Sequence, residues 1–196
     1  MQTHPVLRYT IGECSLGLLL VAVGERGICA ILIDDAREAL VADLQRRFRR
    51  AELRECPAAG NSRFEQVRRC VDDPSQTLAA PLELHGTPFQ RKVWDALLAI
   101  PKGTTTNYAE IARRIGAPTS SRAVGAAIAA NPLAVVVPCH RVLRSDGALS
   151  GYRWGVSRKR VLLEREARAA TGDDAAPERA ERGISRISLA GAADQE

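Results

Sequence analysis

Residues 107–130 read NYAEIARRIGAPTSSRAVGAAIAA and predict two short helices joined by a tight turn. Asn107 is placed to cap the first helix, and Gly116 is placed to end it. Pro118 then breaks the helical pattern, and the second helix begins at Ser121. This spacing is typical of a helix-turn-helix, in which the second helix lies in the major groove of DNA. Helical proteins that do not bind DNA also contain such pairs, so the motif alone leaves both interpretations open.

The second helix of this pair has an unusual composition for a protein that reads DNA sequence. Its residues, SSRAVGAAIAA, offer one long polar side chain, Arg122. Proteins that recognise a DNA sequence place several Arg, Asn or Gln groups against base edges. Small residues instead allow the backbone to approach closely, which favours binding through DNA shape and phosphate contacts. We therefore expect DNA binding with little sequence preference.

The chain ahead of this motif predicts a small α/β unit. Apolar, β-branched runs interrupted by glycines predict strands over Arg8–Cys14, Leu18–Val23 and Ile28–Ile33. Helical periodicity follows over residues 36–50 and 61–71. A meander is the simplest connection of the three strands, so we expect a small antiparallel sheet with two helices.

A second domain is predicted to follow this unit. Three prolines and a glycine between residues 72 and 88 indicate the connection, and helical periodicity dominates from Phe89 onward. The predicted fold is therefore an α/β N-terminal domain over residues 1–83, a mostly α, winged-helix-like domain with the helix-turn-helix over 84–168, and a disordered tail over 169–196, where periodicity is weak.

Basic side chains concentrate in the second domain. Residues 84–168 carry 14 basic and 5 acidic side chains, net +9, whereas residues 1–83 have a net charge of −1 and residues 169–196 a net charge of −3. A basic segment predicts phosphate binding, although an ordinary solvated arginine-rich surface has the same composition. No apolar run is long enough to cross a bilayer. Five scattered cysteines without CxxC spacing exclude a disulfide framework and a zinc knuckle, so we expect a cytoplasmic protein.

Cys139 beside His140 is the candidate for nucleophilic chemistry. A free cysteine has a pKa of about 8.5, so it needs a base or positive surroundings to become a nucleophile at neutral pH. His140 and nearby arginines can supply both. An acidic partner would raise the basicity of the imidazole, and Glu164 and Glu166 on the last helix are the candidates. Alternatively, Cys139 is only a small buried apolar residue.

Five motifs extend this picture along the chain. They are FQRKVWDALLAIPKG (89–103), NYAEIA (107–112), SSRAVG (120–125), NPLAVVVPCHRV (131–142) and GYRWG (151–155). Together they resemble the O6-alkylguanine-DNA alkyltransferase family, and within it the alkyltransferase half of the bacterial Ada protein. A lone PCHR would be weak evidence, but these motifs follow the order and spacing of the family. The resemblance covers the chain from about Arg8 to Arg168.

The resemblance implies a DNA-repair enzyme that acts once, a methylated-DNA--protein-cysteine methyltransferase. Cys139 would accept a methyl or other alkyl group from O6-alkylguanine in duplex DNA, and also from O4-alkylthymine. The stable thioether would consume the protein. Glu166, His140 and a bridging water would generate the thiolate, and Asn131 would brace the turn. The resemblance further implies a monomer without a cofactor or metal, since Gly24 stands where some relatives have a zinc ligand.

The family resemblance also implies that the damaged base is flipped out of the duplex, because a snug pocket must align the sulfur with the bond to be broken. Tyr108 would help to rotate the nucleotide outward, and Arg122 would replace it in the base stack. Further implied DNA contacts are Ser121, Ala123 and Arg141. The residues implied to line the alkyl pocket are Pro138, Val142, Tyr152, Arg153 and Trp154.

Some features depart from the family pattern. Arg153 and Trp154 stand where other branches have small residues, which leaves open how bulky an adduct fits and which group donates to guanine O6. No cysteine-rich segment precedes Arg8, so the metal-dependent phosphotriester repair of Ada is not implied. Two alternatives remain. A non-catalytic lesion-binding module of the same fold would not need Cys139, and a thiol hydrolase would need an oxyanion hole, for which the neighbouring glycines are too few.

Overall fold

The computed structural model of the protein describes residues 4–171. Its strands are β1 (Val6–Cys14), β2 (Gly17–Val23), β3 (Ile28–Asp34), β4 (Glu52–Glu55), β5 (Thr106–Asn107) and β6 (Val142–Leu143). Its helices are α1 (Arg37–Arg47), α2 (Ser62–Asp72), α3 (Pro88–Leu98), α4 (Tyr108–Arg114), α5 (Ser121–Ala129) and α6 (Val156–Thr171). None of these described helices is long and apolar enough to span a membrane. The rest of the predicted disordered tail, residues 172–196, lies outside the described residues.

The first part of the chain is the predicted α/β unit, but its sheet is mixed. Strands β1, β2 and β3 form the expected antiparallel meander. The prediction of a purely antiparallel sheet is wrong, because β4 pairs with β1 in parallel and gives the order β3-β2-β1-β4. Sequence reasoning missed β4 because its residues, ELRE, are largely charged and exposed. Backbone pairing alone places this edge strand, and an apolar pattern does not reveal it.

Two helices pack on this sheet through a few large apolar side chains. Helix α1 buries Leu40 and Leu44 and packs on β3. Helix α2 packs on β1 and β2 and is capped by Asn61, whose Oδ1 accepts a hydrogen bond from the Phe64 amide at 3.1 Å. The Phe64 ring lies over Gly12, where a Cβ atom would be 2.6 Å from the ring. A glycine at this position therefore allows the close approach of α2.

The predicted pair of helices is present as α4 and α5. Asn107 Oδ1 accepts a hydrogen bond from the Glu110 amide at 2.9 Å, which confirms the predicted cap of α4. Gly116 follows α4 with φ of +75°, a conformation that glycine adopts without steric cost. Helix α3 packs against both helices, and Trp94 Nε1 donates to the Ala127 carbonyl at 2.9 Å. This bond fixes α5 on α3.

The segment that follows α5 is attached to the edge of the sheet. The Ile31 amide donates to the Pro132 carbonyl at 2.8 Å, and the Ala134 amide donates to the Ile31 carbonyl at 2.9 Å. Apolar residues from both parts of the chain belong to one continuous buried cluster. These hydrogen bonds to the edge of β3 position the run that leads to Cys139. The domain boundary at residue 83 stays a prediction.

Candidate active site

Cys139 lies in a short 3-10 turn directly after the run from Leu133 to Val137. The side chain is enclosed, since the exposed fraction of the residue is 4%. Asn131 Nδ2 donates to the Leu133 carbonyl at 3.2 Å, to the Val137 carbonyl at 3.0 Å and to Cys139 Sγ at 3.2 Å. Asn131 follows α5 and is itself fully buried. One amide group therefore fixes both the turn and the sulfur relative to that helix.

A buried carboxylate lies against the neighbouring histidine. His140 Nε2 is 2.8 Å from Glu166 Oε1, and both side chains are buried. Glu166 Oε2 also accepts a hydrogen bond from the Gly103 amide at 3.2 Å. Glu164, the other candidate partner, is exposed on α6. Glu166 is therefore the residue that pairs with His140.

The electrostatics of this pair favour an ionised carboxylate beside a neutral imidazole. Burial alone would raise the pKa of Glu166, but hydrogen bonds from His140 and Arg141 lower it to about 2. Burial lowers the pKa of His140, and the opposing effect of Glu166 does not cancel this shift. The His140 Nδ1 atom is buried and has no hydrogen-bond partner within residues 4–171. It is thus a buried nitrogen with hydrogen-bonding capacity that no described protein group uses.

Arg141 lies inside the protein, in contrast to the prediction that it contacts DNA. Its exposed fraction is 7%. Its Nε donates to Glu166 Oε2 at 2.9 Å, its Nη2 donates to Glu166 Oε1 at 2.8 Å, and its Nη1 donates to the Ile100 carbonyl. Because the Arg141 guanidinium is buried and all three of its nitrogens donate to protein groups, it offers no surface to a DNA phosphate. Arg141 follows the reactive pair in the sequence, and adjacency in sequence does not reveal whether a side chain is buried.

Sequence reasoning missed Lys159. Its Nζ donates to the Val142 carbonyl at 2.5 Å and to Ser150 Oγ at 2.8 Å. Burial lowers the pKa of Lys159 to about 8. Burial raises the pKa of Cys139 to about 11, and the Asn131 hydrogen bond and the Lys159 charge oppose this rise. Lys159 lies about two helical turns before Glu166 on α6, so both residues lie on the same face of the helix. Two charged residues on one buried face are the sequence signal that could have identified Lys159 as a site residue.

Two aromatic side chains extend from the histidine, with Tyr152 beside His140 and Trp154 beside Tyr152. The Tyr152 ring is edge-on to the His140 ring, with centroids 6.5 Å apart, and edge-on to the Trp154 ring, with centroids 5.2 Å apart. The Tyr152 hydroxyl is buried and lowers the pKa of Cys139, although it forms no hydrogen bond of ordinary geometry within the described part of the chain. Pro138 and Val142 flank the cysteine turn and are buried. We define the Tyr152 and Trp154 rings as the aromatic wall.

Arg153 departs from the predicted pocket lining. Its Nη2 is 2.5 Å from Asp43 Oδ1 on α1. The side chain therefore lies against the N-terminal part of the fold, although its two neighbours form the aromatic wall.

The other residues predicted to contact DNA lie on α4 and α5. Arg122 and Ala123 are exposed on α5, and Ser121 is partly buried at its start. Tyr108 is partly buried, and its hydroxyl donates to Ser150 Oγ at 2.8 Å. The Tyr108 ring also lies beside Gly125 of α5, in ordinary contact distance of a Cβ atom built there. Tyr108 therefore connects the helix pair to the Ser150 hydroxyl that Lys159 binds.

Among residues 4–171, no group of three or more His, Cys, Asp or Glu side chains could hold a metal ion. The cysteines of this part of the chain are free thiols, and Cys29 is held protonated because burial raises its pKa to about 12. Cys139 is distinguished from the other four by the histidine, amide and ammonium groups around it.

Comparisons with known proteins agree on one family. The family model described as 6-O-methylguanine DNA methyltransferase, DNA binding domain, matches residues 88–168. The bifunctional transcriptional activator/DNA repair enzyme Ada of Escherichia coli is 47% identical over 161 residues, which are 82% of this chain and 46% of Ada. The chain therefore spans about half the length of that relative.

A shorter relative and a solved structure are covered more fully. The methylated-DNA--protein-cysteine methyltransferase of Mycobacterium tuberculosis is 55% identical over 117 residues, which are 60% of this chain and 71% of the relative. The crystal structure of Mycobacterium tuberculosis OGT in complex with DNA aligns with a TM-score of 0.67 and 36% identity, over 82% of this chain and 92% of OGT. With an α/β fold shared over most of its length and the family's motifs around Cys139, the chain belongs to the 6-O-methylguanine DNA methyltransferase family.

Proposed function

We propose that this protein repairs alkylated duplex DNA by transferring an alkyl group from guanine O6 to Cys139, once per molecule. The observation that carries the proposal is the enclosed Cys139 sulfur next to a neutral His140 that is hydrogen-bonded to an ionised Glu166. Relatives named as methylated-DNA--protein-cysteine methyltransferases support the reaction class. The sulfur attacks the alkyl carbon, the carbon–O6 bond breaks, and guanine leaves with the bonding electrons and takes up a proton in place of the one that the thiol loses.

The surrounding groups supply the proton transfer and the charge stabilisation. The Cys139 proton passes through a bridging water to His140, and Glu166 stabilises the imidazolium that forms. Arg141 and the Gly103 amide hold Glu166 in place, so Arg141 becomes a positioning residue. Lys159 stabilises the thiolate by its charge. The product is a thioether, which no nearby group can hydrolyse, so the protein is consumed.

Duplex DNA containing O6-alkylguanine is the proposed partner. The structure of Mycobacterium tuberculosis OGT in complex with DNA supports DNA as the ligand class. In this proposal a winged-helix-like unit over residues 84–168 places α5 in the groove, with Ser121 and Ala123 at the backbone. Arg122 fills the gap left by the flipped base, and Tyr108 pushes the nucleotide outward. We further propose O4-alkylthymine as a second substrate, a monomeric state and a cytoplasmic location.

One observation favours the alternative of a non-catalytic lesion-binding module. The pKa of Cys139 is about 11 in the free protein, so the thiol is protonated at neutral pH. A module that only binds lesions needs no thiolate. The His140 and Glu166 pair behind the thiol argues against this alternative, because a buried imidazole hydrogen-bonded to an ionised carboxylate, both with shifted pKa values, is typical of a site that moves a proton.

Mass spectrometry after incubation with a duplex that carries one O6-methylguanine separates the two functions. We expect one methyl group on the Cys139 peptide, which saturates at one per protein molecule. Cys139→Ala should bind the duplex and gain no methyl group, whereas Cys70→Ala, which removes another buried cysteine, should react like the wild type. Tight binding without any mass change would support the lesion-binding module. Loss of methyl from DNA with unmodified protein would indicate a hydrolase.

A further inference from the structure

One carboxylate on α1 connects three parts of the structure. Asp43 Oδ1 is 2.5 Å from Arg153 Nη2, and its Oδ2 is 3.2 Å from Arg47 Nε. Arg47 Nη1 in turn donates to the Ala130 carbonyl at 3.0 Å, at the C-terminal end of α5. The exposed fraction of the Asp43 side chain is 13%. Asp43 therefore joins the loop of the aromatic wall to the helix that precedes Asn131.

The connection through Asp43 matters because the Cys139 sulfur is enclosed. Cys139 is 4% exposed, so a guanine adduct must displace or pass the side chains that cover it. The loop over residues 148–155, which carries Tyr152 and Trp154, contains no helix or strand. A cavity of about 320 Å³ lies between this loop and α1, with Asp43, Arg153 and Trp154 in its lining. Trp154 is buried, and the Asp43–Arg153 ion pair is a polar contact that attaches the exposed part of the loop to α1.

We propose that Asp43 is a positioning residue for alkyl transfer, which acts through Arg153 to hold the Tyr152–Trp154 wall over Cys139. The inference rests on the proposed function for its effect on the reaction, but not for its effect on the loop. A held wall keeps the pocket small and selects small adducts. A released wall admits larger adducts and aligns the methyl carbon less well with the sulfur.

A second arginine provides a matched comparison. Arg158 Nη1 donates to the Trp154 carbonyl at 2.9 Å and its Nε to the Leu16 carbonyl at 2.6 Å, and it also pairs with Asp35. The Asp35 side chain is 84% exposed, so solvent screens this pair. Arg158 keeps its two carbonyl partners when the Asp35 charge is removed. Asp35→Asn therefore makes the same change of charge near the same loop without releasing it.

The first test is hydrogen–deuterium exchange of the full chain without DNA. We expect faster exchange of the peptide that covers residues 148–155 in Asp43→Asn and in Arg153→Gln, and unchanged exchange in Asp35→Asn. Asp43→Glu should restore most of the protection because it keeps the charge. Exchange in the β1 to β3 strands, recorded in the same experiment, reports whether the variants remain folded. Unchanged exchange of the 148–155 peptide in Asp43→Asn would overturn the proposal.

The second test compares single-turnover transfer from duplexes that carry O6-methylguanine or O6-benzylguanine. We expect the ratio of the methyl to the benzyl rate constant to fall about tenfold in Asp43→Asn. The double variant Asp43→Asn/Arg153→Gln should show no further fall, because both substitutions break the same pair. An unchanged ratio, or additive effects of the two substitutions, would overturn the proposal. If the wild type transfers no methyl group to Cys139, the proposed function fails, and the exchange comparison still decides the position of the wall.

Discussion

Glu166 is the residue on which the donors of the site converge. It accepts hydrogen bonds from His140, Arg141 and the Gly103 amide, and it is 5% exposed. A carboxylate that accepts several hydrogen bonds from cationic and amide donors stays ionised at low pH. This convergence ties α6 to the cysteine turn and to the loop after α3. The same contacts that orient His140 therefore also stabilise the fold.

The low pKa of Glu166 predicts an acid-dependent loss of stability. The folded-state pKa, about 2, lies below the ordinary value of 4.5, so the stabilisation is complete above pH 4.5 and is lost as the pH falls through about 2. The free energy of unfolding should decrease by about 3 kcal/mol over this range because of Glu166. Urea unfolding at several pH values measures it. Glu166→Gln should lack this part of the decrease, and the control Glu164→Gln should keep it. Parallel curves of unfolding free energy against pH for the wild type and Glu166→Gln would contradict the assignment of the decrease to Glu166.

Lys159 makes a second prediction at the same scale. Removing its charge in Lys159→Met should raise the pKa of the Cys139 thiol further, because the ammonium opposes the effect of burial. A rise of one pKa unit lowers the thiolate fraction about tenfold. The rate of iodoacetamide modification of the Cys139 peptide, followed between neutral and alkaline pH, measures this change. Arg160→Met alters an exposed neighbour on α6 and should leave the rate unchanged. Equal rates for Lys159→Met and wild type would refute the role of Lys159.

The site could be predicted in part from single residues. The Cys139 and His140 pair follows from residue types, which left Glu164 and Glu166 as acidic partners, and the family resemblance implied Glu166, the one that α6 buries. The partners of Arg141 could not be predicted, because a guanidinium beside a reactive pair fits either a phosphate or a buried carboxylate. The ion pair of Arg153 with Asp43 joins residues far apart in sequence, and local patterns carry no information about such contacts.

At the scale of elements, the helices and the first three strands could be predicted from the sequence, whereas the short strands could not. Helices α3, α4 and α5 lie within a few residues of their predicted positions, because caps and periodic apolar residues mark them. Strand β4 has no such pattern. The attachment of residues 132–134 to the edge of β3 was missed as well, since the apolar run there is compatible with any buried segment.

This attachment predicts correlated protection from hydrogen exchange. The Ile31 and Ala134 amides close the contact between β3 and the run before Cys139. Both should exchange in the same slow class, because either exchanges only when the contact opens. Residue-resolved exchange by nuclear magnetic resonance measures their rates. The Gly147 amide, bonded in an exposed turn, is the control and should exchange fast. An Ala134 amide that exchanges as fast as Gly147 would show that the contact does not form in solution.

At the scale of the whole molecule, the distribution of charge bears on the proposed binding of DNA. The net charge of +9 over residues 84–168 overstates the available surface charge. Arg141 and Lys159 are buried, and Arg153 and Arg158 are bound to groups of the N-terminal part. These four side chains bind protein groups: Arg141 binds Glu166, Lys159 binds the Val142 carbonyl and Ser150, and Arg153 and Arg158 bind Asp43 and Asp35. The basic composition therefore serves the interior of the site as well as its DNA-facing surface.

The salt dependence of DNA binding tests whether these four basic side chains stay bound to protein groups while the others contact DNA. Each phosphate that a side chain neutralises contributes about −0.9 to the slope of log K against log salt concentration, so nine contacts would give about −8. Ten of the 14 basic side chains remain after these four are subtracted. We expect one DNA surface to meet about half of them, which gives a slope of about −4.5. Fluorescence anisotropy with an undamaged duplex at increasing salt measures it. Arg122→Ala should reduce the slope by about one, whereas Arg153→Gln should leave it unchanged because that guanidinium is held by Asp43. An equal effect of the two substitutions would mean that Arg153 leaves α1 when DNA binds, and a slope near −8 would contradict the expectation that DNA meets about half of the remaining basic side chains.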